Sequence, residues 1–425
     1  MKSSRLFMIA IIVLSGVLVS FTNSWSSTFE FHPRFTLGEE YNDNIDLDDK
    51  NTESDWITTV APGFSLTYDA RSLDAVVDYT LDLQFYAKHS SNDQDSIRDG
   101  SRGSAMLSFF SGRPFTLLVS STVTSTALNE RDNSTEYNDS ENRSTLYTTT
   151  VAPQYRWQLT QTFSLVFGYT YHREDYVETS GDDNYEHVGD VSLVKQVSSS
   201  TDVFVRYTYT DYNTDFNGDG DNQDGDEYGD YAQQDYTVGI NQQVSSRISG
   251  SIEGGYTQID YKSGSNTGNP TIAMDASYRY SAPVTFTLGY SYDYEDTPEE
   301  GLTERHDAYF GVNYARESLS ASTELFWYES KYESENRKDE GFGIRFDLSK
   351  PLSRVLTANF NTDYGHGKYT DPSEKVDEYG MGASLDYTYR RFLVSLGYIF
   401  RYSDSDISYN DYTNNVVMLT GTVNF

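Results

Sequence analysis

Along most of the chain apolar and polar residues take turns. Val77, Tyr79, Leu81, Leu83 and Phe85 are separated by Asp78, Thr80, Asp82 and Gln84, and Phe163, Leu165, Phe167, Tyr169 and Tyr171 form a second such run. Phe286, Leu288, Tyr290, Tyr292 and Tyr294 form a third, and Phe392, Val394, Leu396, Tyr398, Phe400 and Tyr402 a fourth. The chain ends in the same way: Val417, Leu419, Val423 and Phe425 fall on one parity, Met418, Thr420, Thr422 and Asn424 on the other. A period of two predicts strands with one apolar and one polar face. Such strands suit either a soluble sandwich or a membrane barrel.

The connections separate these readings. Short ones (Ala70-Arg71, Gly112-Arg113-Pro114, Ser198-Ser199-Ser200, Ser245-Ser246, Ala282-Pro283, Arg390-Arg391) alternate with longer, mostly acidic ones near 43–54, 89–100, 129–142, 174–184, 213–230, 262–268, 295–303, 333–338, 369–376 and 404–412. Short turns at one end and long loops at the other are the plan of outer-membrane barrels. The pattern therefore predicts an all-β fold, a transmembrane antiparallel up-and-down barrel of about 20 strands with both termini on the short-turn side. The first run (Phe29, Phe31, Phe35, Leu37) contains Pro33 and is the weakest, which leaves about 18 strands as the alternative. Runs longer than the 9–11 residues needed to span should project past the bilayer.

The N-terminus adds a route of export. Lys2 and Arg5 precede the apolar stretch Leu6–Val19, and the small residues Thr22 and Ser24 follow. This is the layout of a secretory signal, so residues 1–24 are expected to be removed and residues 25–425 to form one barrel domain. The first strand then begins within a few residues of the signal, and no plug domain is expected before it. Tyr 37 and Phe 23 are plentiful while apolar runs are absent, as interfacial girdles require. The location expected is the outer membrane of a Gram-negative bacterium, with outer-membrane lipid and the barrel-assembly machinery as partners.

Charge and chemistry then narrow the function. The net charge is −34, or −36 without Lys2 and Arg5, which repels nucleic acid and excludes it as a partner. There is no cysteine, hence no disulfide and no thiolate chemistry. His32, His89, His172, His187, His306 and His366 are scattered, and an enzyme is not expected. If the aromatic parity meets lipid, the opposite parity lines a lumen. It carries Asp78, Asp82, Arg156, Arg206, Asp235, Asp275, Arg279, Arg345, Asp347, Asp386, Arg390 and Arg401, a wet interior of both signs that suits a hydrophilic solute or polymer. The competing reading of each charge is simple solvation or cross-strand pairing. Inward aromatics would count as polymer contacts, and Tyr309 and Phe326 are the few placed there.

In the loop NGDGDNQDGDE, Asp219, Asp221, Asp224, Asp226 and Glu227 offer hard oxygen ligands on a flexible backbone, as calcium requires. The spacing is not that of the helix-loop-helix calcium motif, and a solvated acidic loop is the competing reading. No other cofactor is expected.

Gly38–Leu66 goes beyond barrel composition. Tyr41, Asp43, Asn44 and Ile45, then Ser54–Thr58 (Ser-Asp-Trp-Ile-Thr), then Val60, Pro62 and Gly63 together resemble the opening of the β-barrel porin-2 family of outer-membrane proteins associated with exopolysaccharide and exosortase loci. The resemblance implies an outer-membrane pore that exports an exopolysaccharide beside a periplasmic export protein, and it supplies no catalytic residues. A general diffusion porin, and a surface receptor or adhesion barrel using calcium-bound acidic loops, are the alternatives. Val423 and Phe425 sit where a C-terminal barrel-insertion signal places its apolar residues. Thr-Val-Ala-Pro stands at 59–62 and recurs at 150–153, and a proline inside a strand predicts a bulge or a break in the ladder.

Overall fold

The computed structural model describes residues 27–127, 143–177, 183–215, 230–262, 266–297, 301–332, 337–370, 373–407 and 410–425. β1 (Thr28–Asn42) pairs with β2 (Asp55–Ala70) on one side and with the last strand, β21 (Tyr412–Asn424), on the other, so the sheet closes. Every neighbouring pair is antiparallel, up and down in sequence order. Pro33 does not weaken β1: it runs its full length beside β2 and meets β21 from Arg34 to Asn42.

The sheet contains 21 strand segments, but β3 (Leu73–Leu81) and β4 (Leu83–Tyr86) are two halves of one wall strand, which makes a closed barrel of 20. The cause lies in β2. Its pairing with β4 ends at Val60↔Leu83 and resumes with β3 at Gly63↔Thr80, leaving out Ala61 and Pro62. Proline brings no N–H to the ladder. On the other side of the same strand, Asp82 donates its N–H to the Gly100 carbonyl at 2.6 Å, continuing the pairing with β5 (Ser101–Phe109). The second copy of the tetrapeptide behaves alike. β7 (Arg143–Gln158) and β8 (Phe163–Tyr176) pair to Val151↔Tyr171, skip Ala152 and Pro153, and resume at Gln154↔Gly168 in the same register. The ladder breaks in both places without a bulge.

Two-residue turns such as Arg71–Ser72, Ala282–Pro283 and Arg390–Arg391 lie at the end that carries both termini. The opposite rim is uneven. Residues 43–54 and 87–100 are long connections there, whereas strand enters the regions near 262–268, 295–303, 333–338 and 369–376. β13 (Thr267–Ser281), β15 (Gly301–Arg316) and β19 (Ser373–Tyr389) reach into them, which shortens the loops read from sequence. Polar residues alternate there as regularly as apolar ones, and hydrogen-bonded strand simply continues into water. A 16-residue strand such as β2 is about 54 Å long, or roughly 41 Å high at a tilt near 40°, against an apolar band about 25 Å tall.

Register fixes the two faces. Phe35, Leu37 and Tyr41 of β1 stand opposite Val423, Gly421 and Val417 of β21 and point outward, while Arg34, Thr36 and Gly38 meet Asn424, Thr422 and Thr420 inside. The outer face holds exposed Leu288, Leu325, Leu396 and Leu419 at mid-height. Tyr155, Trp157, Tyr280, Tyr389 and Phe392 gather toward the short turns, and Trp56, Trp327, Tyr379 and Tyr402 toward the long loops. These are the two aromatic girdles of a membrane barrel.

Candidate functional site: the lumen wall

Eleven of the twelve charged residues assigned to the lumen from sequence occupy inward positions of the wall. Arg390 does not: it sits in a two-residue turn with φ 54° and its guanidinium lies 5.3 Å from the Tyr389 ring. A tight hairpin needs a residue of positive φ, and the turn takes Arg390 out of the alternation.

The inward charges are held by neighbours across the strands. Arg34 makes a double hydrogen bond to Asp78, both contacts at 2.6 Å, and Arg401 reaches Asp363 at 2.8 and 3.0 Å. Arg345 pairs with Glu324 at 3.1 Å, Asp347 accepts from Ser322 at 3.1 Å, and Asp386 accepts from Asn359 at 2.6 Å and Ser395 at 2.5 Å. Asp235 takes Thr257 at 2.6 Å, and Arg156 donates to Ser164 at 3.2 Å. Asp275 accepts from the Tyr309 hydroxyl at 2.8 Å. Arg206 stands over the Phe204 ring at 4.8 Å, and Asp82 and Arg102 line a common cavity. Arg279 holds an inward position in β13, opposite Thr285.

The inward face also carries more aromatics than the two read from sequence. Phe204, Tyr212, Tyr231, Tyr261, Tyr328, Tyr332 and Tyr369 join Tyr309 and Phe326 by register. Several lie flat against the wall because a glycine stands on the adjoining strand. A β-carbon on Gly239 would overlap Phe204, one on Gly289 would overlap Tyr309, and ones on Gly341 and Gly343 would overlap Tyr328 and Phe326. Each aromatic is the direct cross-strand partner of its glycine. The signal for this was present in the sequence as glycines on the polar parity, but it becomes legible only once the register is known.

At the long-loop rim the motif residues find their work. Asn42, Asn44 and Asn414 are fully buried. Asn414 Nδ2 donates to Asn42 Oδ1 at 2.6 Å and to the Asn44 carbonyl at 3.0 Å, and Asn44 Nδ2 donates to the carbonyls of Asp48 and Thr413. Asp43 receives the backbone and side chain of Asn415 at 2.7 and 2.8 Å. The first loop is thereby clasped to the last strand. The Asp55 carboxylate accepts from the N–H groups of Trp56, Lys88 and His89 at 2.7, 3.0 and 2.9 Å and from His89 Nδ1 at 2.9 Å, and Ile57 packs with Ile45 and Tyr86. The Asp55 hydrogen bond, with Glu53 beside it, raises the His89 pKa above the ordinary 6.5. Burial, with Glu53 and Asp48 near, pushes the Asp46 carboxyl up.

This tethered stretch, with a 3-10 turn at Ser90–Asn92 and a helical turn at Ile97–Gly100 capped by Ser96, bounds a cavity of about 940 Å³. Glu40, Asp82, Gln84, Arg102, Thr124 and Met418 line it from the wall. Asp219, Asp221, Asp224, Asp226 and Glu227 lie outside the described residues, and among the described residues no group of three or more His, Asp or Glu is placed to hold a metal.

The fold is similar to solved outer-membrane receptors. The FrpB iron transporter of Neisseria meningitidis (F5-1 variant) matches with 10% identity and a TM-score of 0.50, over 93% of this chain and 82% of that one. A mutant of the ferric enterobactin receptor PfeA from Pseudomonas aeruginosa matches with 10% identity and a TM-score of 0.52, over 93% and 80%. No curated protein matches the chain. The chain has the fold of outer-membrane β-barrels. Residues 342–425, the wall that runs up to the clasp with Asp43 and Asn44, match the model of the family described as "Putative beta-barrel porin 2", the family that the N-terminal motif resembles.

Proposed function

We propose that the barrel is a non-enzymatic outer-membrane pore for a hydrophilic substrate, and that the substrate is an exopolysaccharide leaving the cell beside a periplasmic export protein. The observation that carries this reading is the inward set of aromatics laid on glycines between carboxylates, amides and hydroxyls. A moving glycan needs both: apolar ring faces to slide over and hydrogen-bonding groups that exchange with its hydroxyls. The family resemblance points the same way, and Val423 and Phe425, outward on β21, fit an insertion signal read by the barrel-assembly machinery.

Deletion of the gene, with secreted and cell-bound polysaccharide measured against uptake of small hydrophilic solutes, tests the proposal. Loss of surface polysaccharide with normal uptake, restored by complementation, is the expected result. Unchanged polysaccharide would overturn it, and slowed solute entry in the same strain would favour a general diffusion porin.

A further inference from the structure

Within that pore one lumen aromatic differs from the rest. Phe204 lies on Gly239 with Arg206 over the ring at 4.8 Å, Phe326 lies on Gly343 with Arg345 at 4.3 Å, and Tyr328 lies on Gly341 with Arg305 at 5.3 Å. In these three an arginine already contacts the ring, and a sugar stacking there shares the ring with a guanidinium. Tyr309 lies on Gly289 in the same way, yet among the described residues no lysine or arginine stands over it and no other ring contacts it. Its hydroxyl is tied down at 2.8 Å to Asp275. The register explains the pose: Asp275, Gly289 and Tyr309 stand directly opposite one another on β13, β14 (Val284–Thr297) and β15, so the side chain crosses the glycine and ends at the carboxylate.

The open ring borders a cavity of about 530 Å³ whose wall is Asp202, Asn241, Gln242, Ser251, Asp275 and Thr287, with serines near them. This lining carries two carboxylates, amides and hydroxyls, and no cation. We propose that Tyr309 is a stacking platform for one pyranose ring of a neutral or N-acetylated glycan, with Asp275 and the amide of Asn241 as partners of its hydroxyls. Glycans rich in uronic acid are disfavoured here, because a ligand carboxylate would meet Asp202 and Asp275 with no cation to offset them. Asp275 thus acts twice: it holds the ring flat and offers its second oxygen to the ligand.

The inference rests on the pore reading for its substrate class, but the test does not need conduction. Calorimetric titration of the full barrel in detergent micelles uses maltohexaose and chitohexaose as neutral probes and a galacturonic acid hexamer as the anionic one. Wild type should bind a neutral probe at least about tenfold more tightly than the acid hexamer. Tyr309→Ala should weaken neutral binding about tenfold, and Tyr309→Phe should keep most of it. Gly289→Ala, which leaves Tyr309 in place but pushes its ring off the wall, should also weaken it. Retained strand circular dichroism and retained heat-modifiable migration establish that each variant is folded. Absence of neutral binding by wild type, or equal binding by Tyr309→Ala, overturns the platform. Loss of polysaccharide export on gene deletion alongside either result would leave the pore reading standing without this site.

Discussion

Two walls of one barrel solve the same problem differently. In the wall from β14 to β18 (Leu356–Thr370) the ladder runs without a break, and glycine beside aromatic packs the inward face with rings that keep close to the strands. In the wall from β21 through β1 to β5 (Ser101–Phe109) the ladder is broken opposite Pro62, and at the long-loop rim, where the strands end, buried asparagines and a buried aspartate take over the backbone's hydrogen bonding. A continuous ladder satisfies every N–H and C=O by itself and leaves side chains free to shape the lumen. Where the ladder ends, side chains become substitutes for backbone, and those residues become fixed in identity and in place.

The largest effect should come from the substitute with the most partners. Asp55→Ala removes the acceptor of three backbone N–H groups and should cost about 3 kcal/mol. Unfolding in guanidinium from detergent micelles measures the cost. Limited proteolysis should also find new cleavage in 87–100 while the barrel core persists, and unchanged cleavage would contradict the assigned role. Asn44→Ala loosens the clasp between the first loop and β21 and should cost about 2 kcal/mol. Gly341→Ala in the continuous wall should cost a similar amount, about 2 kcal/mol from forcing Tyr328 off the strand, but leave proteolysis of 87–100 unchanged. That pair of variants separates the two walls at equal stability.

The Asp55–His89 contact should also answer to pH. The His89 pKa is raised, so its contribution is full below the ordinary value of about 6.5 and is lost as pH climbs through the raised value. Hydrogen exchange at the Lys88 and His89 amides, corrected for intrinsic rates, should therefore lose protection with rising pH and not with falling pH toward 6. At the small end, Lys331→Gln breaks an ion pair to Glu304 at 3.3 Å on a half-exposed rim and should shift stability by no more than about 0.5 kcal/mol.

The strands were legible because alternation is written in single residues: the parity of Val423 and Phe425 is the parity the closed barrel turns toward lipid. The two breaks were legible from Pro62 and Pro153. The extent of the rim was not, since polar strand and polar loop share a composition, and hydrogen bonding to the neighbouring strand decides between them. The lumen aromatics escaped for a related reason. Tyr328 and Tyr369 sit among other tyrosines, and which parity is inward depends on a register set many residues away. Arg390 misled because a residue at the end of an alternating run looks like the run until the turn bends.

The central claim is that one parity of every strand faces water and the other lipid. The chain has no cysteine, so single cysteines can be placed without removing any. Labelling of Ser322→Cys and Glu324→Cys, against Thr323→Cys and Leu325→Cys, with a membrane-impermeant maleimide in isolated outer membranes tests it most directly. The account predicts rapid labelling at 322 and 324 and protection at 323 and 325 until the membrane is dissolved in denaturant. Labelling that ignores parity, or protection at all four positions, would contradict a water-filled lumen on this wall.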